Sequence, residues 1–172
     1  MSHIAITVIG HDRPGIIAET TSTLAELGVN LEDSTMTRLR GHFAMMLLCT
    51  GEVSAARVED ALAGLTADGT LQVSAREVAV EDPAVASARP YILTVHGGDR
   101  LGIVAALTRA VAGAGGNITD LTTRLSGELY VVAAEVDLPA GADEAVLTAE
   151  LARIGRDLEV DVSFRPQETD VL

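Results

Sequence analysis

The chain repeats itself. The run Thr7-Val8-Ile9-Gly10-His11-Asp12-Arg13-Pro14-Gly15-Ile16 returns as Thr94-Val95-His96-Gly97-Gly98-Asp99-Arg100-Leu101-Gly102-Ile103. The match continues from Gly28-Val29-Asn30-Leu31 to Gly115-Gly116-Asn117-Ile118, then from Thr37-Arg38-Leu39 to Thr123-Arg124-Leu125 after a slip of one residue. About half the positions in the best-matching stretch agree, which chance seldom produces. Two copies are too few to stack as a solenoid. The 172 residues leave each copy room for a small core of its own. The expected organisation is therefore a first domain over residues 1–80, a linker over 81–90, a second domain over 91–165 and a tail over 166–172. The linker segment holds Asp82-Pro83 and Arg89-Pro90 among small residues and shows neither helical nor strand periodicity.

Each copy reads strand, helix, strand, strand, helix, strand. In the first, residues 4–9 form a β-branched apolar run stopped by Gly10 and a polar turn through Asp12 and Arg13. Pro14 suits the first position of a helix, Ile16, Ile17, Thr20, Leu24 and Leu27 recur at helical spacing, and Gly28 ends the pattern. Residues 29–39 and 42–49 read as strands joined by a tight turn at Arg40-Gly41. A second helix is expected over 54–65 and a closing strand over 70–80. The second copy predicts strands near 91–96, 117–125, 129–137 and 158–164, with helices near 101–114 and 143–155. The fold class is α+β: two tandem ferredoxin-like βαββαβ sandwiches, in each of which both helices cover one face of an antiparallel sheet. The other sheet face stays open. Pairing of edge strands would join the two units into one continuous sheet, and a homodimer would cover more.

Charge narrows the partners. Twelve basic against twenty-five acidic residues give a net charge of −13, which repels a closely spaced row of phosphates, so direct nucleic-acid binding is not expected. The single Cys49 rules out an intramolecular disulfide, the first residues lack the pattern of a secretory signal, and no apolar stretch approaches a membrane span. A cytoplasmic protein with no membrane contact is expected. Catalytic constellations are thin: His3, His11, His42 and His96 lack metal-ligand spacing, no phosphate-binding loop motif occurs, and Ser126-Gly127 reads as a hairpin turn. Gly113-Ala114-Gly115-Gly116 reads as a helix stop, because Ile118 stands where a dinucleotide fingerprint needs its last glycine.

A duplicated βαββαβ unit with Asp-Arg-Pro-Gly-Ile after its first strand and Gly-x-Asn followed by an apolar residue after its first helix resembles the ACT domain. Within that family it is similar to the glycine cleavage system transcriptional repressor group. The resemblance implies a regulatory domain that binds a small amino acid where two units meet, near the loop after the first strand and the start of the second strand. The implied ligand-binding residues are Asp12, Arg13, Gly15, Ile16, Asn30 and Leu31, with Asp99, Arg100, Gly102, Ile103, Asn117 and Ile118 in the second copy. The chemistry of these residues agrees with the implication. Uncapped N–H groups at a helix start suit a carboxylate, while Asp12, Asp99 and the amides of Asn30 and Asn117 can serve an ammonium. Each residue also has a structural alternative. Asp12 and Asp99 can cap a helix, Gly15 and Gly102 can serve close helix-to-sheet packing, Asn30 and Asn117 can stabilise turns, and Arg13 and Arg100 can pair with local carboxylates. The copies differ where Pro14 becomes Leu101, His11 becomes Gly98 and Ile9 becomes His96, so unequal sites are expected.

The resulting expectation is a non-catalytic sensor of glycine, serine or a similar amino acid, without cofactor or metal, that acts on a transcription regulator or a metabolic enzyme by protein contact. A detached regulatory subunit of an amino-acid biosynthetic enzyme is the alternative.

Overall fold

A computed structural model describes residues 2–79 and 88–167. The chain divides into two compact units, Met1–Asp82 and Pro83–Leu172, each with a separate apolar core.

In the first unit β1 (Ser2–His11) alternates, and Ile4, Ile6 and Val8 are fully buried on one face. The chain then forms α1 (Ile16–Glu26), β2 (Asn30–Leu39), β3 (His42–Gly51), α2 (Ala55–Ala61), α3 (Ala63–Thr66) and β4 (Leu71–Val78). The four strands form an antiparallel sheet in the order β2-β3-β1-β4. Phe43, Met45, Leu47 and Cys49 of β3 meet Ile16, Leu24, Val58 and Leu65 of the helices, and Leu62 between α2 and α3, in one core. Thr20 is buried in the same layer because its hydroxyl donates to the Ile16 carbonyl at 2.7 Å. Arg40 and Gly41 turn the β2-β3 hairpin with φ of 50° and 87°, the paired positive values that a two-residue hairpin requires.

The second unit repeats the plan with β5 (Ala88–Gly98), α4 (Ile103–Gly113), β6 (Asn117–Ser126), β7 (Leu129–Pro139), α5 (Glu144–Leu158) and β8 (Val160–Pro166), in the sheet order β6-β7-β5-β8. Asp143 caps α5 by accepting from the Val146 N–H. Tyr91 anchors the far end of this core: its ring stacks on Phe164 at 4.7 Å, Arg89 lies over it at 5.7 Å, and its hydroxyl donates to Glu144. That hydrogen bond, followed by burial, raises the Tyr91 pKa above 10.0. A raised folded-state value makes this contribution fully present below the unfolded pKa and lost as pH rises through the folded one. Tyr91→Phe should therefore cost about 1–2 kcal/mol at neutral pH. It should also flatten the alkaline arm of stability above pH ~10. Urea titrations at neutral and alkaline pH check both.

The structure corrects several expectations. Both first helices start two residues later than the proline rule suggests, at Ile16 and Ile103, because Gly15 and Gly102 take left-handed backbone immediately before them. The expected helix over 54–65 breaks at Leu62, where the Leu65 N–H reaches back only three residues and Gly64 weakens the ladder. Leu158 ends α5 and does not open a strand. Among the described residues each unit has a four-stranded sheet, and bulges after Leu31 and Ile118 distort the outer strands β2 and β6. Of the expected linker, Ala88–Pro90 opens β5 and 81–87 lie outside the described residues. Pro90 is accommodated where β8 ends: its carbonyl accepts from Gln167, and the N–H it lacks would point the same way. The expected tail begins with Pro166 as the last residue of β8, and residues 168–172 lie outside the described residues.

The register also removes the one-residue slip. Arg38 pairs with Phe43, the second residue of β3, whereas the residue paired with Tyr130, the second of β7, is Leu125 and not Arg124. Side chains alternate between faces, so Arg38 lies on the helix side of its sheet and Arg124 on the open side.

Candidate functional site

The two copies share one local device. Gly15 (φ 93°, ψ −11°) and Gly102 (φ 93°, ψ 2°) precede α1 and α4 in left-handed conformation, and neither helix start receives a side-chain cap. The first helical hydrogen bonds run from Glu19 to the Gly15 carbonyl and from Ala106 to the Gly102 carbonyl. The N–H groups of residues 16–18 and 103–105 thus precede the helical ladder at the positive end of the helix dipole. A Cβ on either glycine would meet nothing within 4 Å, so the packing explanation fails and the left-handed backbone is the reason for glycine. Ile16 and Ile103 turn their side chains into the cores, leaving only their backbone to face a ligand.

Asp12 and Asp99 do not cap these helices. The Asp12 N–H donates to the Gly41 carbonyl at 2.9 Å, and its carboxylate accepts from Arg38 at 3.3 Å. Asp99 is exposed on the equivalent loop. Arg13 reaches the nearby Glu19 at 3.5 Å, whereas Arg100 reaches Glu159, at the end of α5, at 2.7 Å. The Arg13 Nε is buried without a partner. Leu101, the counterpart of Pro14, is fully exposed, so the two loops present different apolar surfaces.

The asparagines lie elsewhere. Asn30 and Asn117 are the first residues of β2 and β6, and both are exposed. Asn30 pairs with Thr50, which pairs with His3 near the start of β1, whereas Asp12 follows His11 at its end. At the rise of a β-strand, the eight residues from His3 to His11 separate the two groups by roughly 27 Å. The βαββαβ order demands this, because α1 carries the chain back to the start of β1 before β2 begins. In the second unit Asn117 likewise pairs with Asp137, opposite Pro90, far from Asp99. Leu31 is partly exposed beside Asn30, while Ile118 packs on its unit's core. Within each unit the six candidate residues form two clusters, one at each end of the sheet. Arg38, absent from the expected set although quoted in the repeat, is the side chain that holds Asp12.

Among the described residues no three His, Cys, Asp or Glu side chains converge as metal ligands, and no helix is long and apolar enough to cross a membrane. Cys49 is buried, and burial, with the nearby Glu32 carboxylate, holds its thiol above the ordinary value.

The model of the ACT domain family matches residues 2–76 and again 89–165. The solved structure of an unknown protein from Galdieria sulphuraria has 28% identity and a TM-score of 0.82, covering 97% of this chain and 99% of that one. A candidate glycine cleavage system transcriptional repressor shares the fold at a TM-score of 0.71 and 21% identity, covering 98% of each chain. A UPF0237 protein of Methanopyrus kandleri is 52% identical over 48 residues, which are 28% of this chain and 53% of that protein. The chain thus spans about half the length of this curated relative.

Proposed function

Because the chain belongs to the ACT domain family, with one match in each unit, we propose that it is a non-catalytic regulatory protein that senses a small amino acid, glycine or serine first. The observation that carries this reading is the pair of uncapped helix starts with the same left-handed glycine geometry. A ligand carboxylate fits the N–H groups after Gly15 and Gly102, and Asp12 or Asp99 supplies an acceptor for its ammonium. The amides of Asn30 and Asn117 lie too far away to join them within one unit. A ligand that uses both clusters therefore cannot take them from one unit alone.

Regulation follows by linkage: an amino acid that prefers one conformation of the protein changes its affinity for a protein partner, a transcription regulator or a metabolic enzyme. The net charge of −13 argues against direct action on nucleic acid. A thermal-shift panel of the amino acids tests the reading, since a ligand bound only by the folded chain raises its melting temperature. A selective rise with glycine or serine is expected. No rise with any amino acid at millimolar concentration would refute it.

A further inference from the structure

The duplication provides an internal control for the open sheet faces. On the first unit's open face Ile9, Met46 and Leu48 are exposed by 52%, 46% and 38%. The residues that occupy the same places in the second unit's register are His96, Ala133 and Glu135. The second unit keeps Ile92 and Val131 on this face but carries histidine, alanine and glutamate at those three places, so the large apolar side chains of the first unit there are not a requirement of the architecture.

The register also fixes what lies at the edges of this face. Asp33 pairs with Leu48, Leu48 with Ala5, and Ala5 with Arg76, so these four form one row across the sheet with an acid at the β2 edge and a base at the β4 edge. The next row is Thr35, Met46, Thr7 and Ser74. From this we infer that the first unit's open face packs on the same face of a second copy of the chain, about a two-fold axis parallel to the strands. That axis places the β2 edge of one copy over the β4 edge of the other. Each Asp33 then lies opposite an Arg76, each Leu48 opposite an Ala5, and each Met46 opposite a Thr7, with no like charges opposed in these rows. The second unit's face does not serve equally well, because Glu135 would be pressed against Ile92 in the corresponding row.

Four strands roughly 5 Å apart and about 27 Å long offer roughly 500 Å² per copy. Together they bury on the order of 1,000 Å², the range of weak, reversible association. The dimer should accordingly form at micromolar concentrations and independently of any amino acid. Sedimentation velocity of the full chain across the micromolar range, with melting curves to confirm folding, tests this. Met46→Asp should be monomeric, and Leu48→Ser should weaken association. Asp33→Arg and Arg76→Asp should each weaken it about tenfold or more, while the double exchange restores it to within about threefold of the parent. A chain that is monomeric throughout overturns the inference. So does a dimer that survives Met46→Asp, or a double exchange that recovers nothing.

Discussion

Gly10→Ala should unfold the first unit and leave the second folded. At this bulge-free position in β1, φ is +152°, and a Cβ would lie 2.1 Å from the Thr70 carbonyl oxygen and 2.9 Å from the Leu71 Cα. Both are backbone atoms, so no side chain can turn aside. The Thr70 carbonyl cannot yield cheaply, because it accepts the His11 N–H at 3.0 Å. Its own residue is tied down by the Asp68 carboxylate, which accepts from the Thr70 N–H at 2.9 Å and from its hydroxyl at 2.7 Å. Those hydrogen bonds also hold the Asp68 pKa below its ordinary value. The substitution should cost more than about 4 kcal/mol, a large part of what a domain of this size possesses. The counterpart Gly97→Ala is a milder test. Its Cβ meets the Val160 Cγ1 at 2.8 Å and Cα at 3.1 Å, and a rotating valine relieves the shorter contact. About 1–3 kcal/mol is expected there. Chemical denaturation read through dispersed amide resonances of each unit separates the outcomes. A Gly10→Ala chain with both units intact would show that the contact was misjudged.

The second large effect concerns the ligand. Gly15→Val and Gly102→Val place a β-branched residue where φ is 93°, a conformation it does not hold. The backbone must turn, and the N–H groups at the helix start lose their common direction. Stability should fall only modestly, by about 1–2 kcal/mol, since the new Cβ meets nothing within 4 Å. Amino-acid affinity should fall about tenfold to a hundredfold at the affected unit, the worth of charge-assisted hydrogen bonds. Isothermal titration of the single and double variants measures it. If the double variant binds as tightly as the parent, the carboxylate is held elsewhere.

Much of the fold was readable from particular residues. The alternation of Ile4, Ile6 and Val8, the turn at Arg40-Gly41 and the repeat itself lead directly to the strand order. Helix starts were displaced because Pro14 signals a first turn more loudly than Gly15 signals a left-handed residue, and only coordinates show which operates. The apparent Thr-Arg-Leu repeat misleads for a related reason. Letters can match after a slip, but the pleat sends Arg38 and Arg124 to opposite faces. Residue types at the candidate site were legible, and their separation was implicit in the topology. What sequence did not reveal is local detail: the Asp12–Arg38 pair, the left-handed glycine before each helix, and the row that joins Asp33 to Arg76.

The most direct measurement of amino-acid sensing is the change in backbone amide resonances of the full chain as glycine, and separately serine, is added. The account predicts saturable shifts centred on residues 16–18 and 103–105, accompanied by Asn30 or Asn117. Amides that stay unmoved at millimolar ligand, or saturable shifts confined to other surfaces, would contradict it.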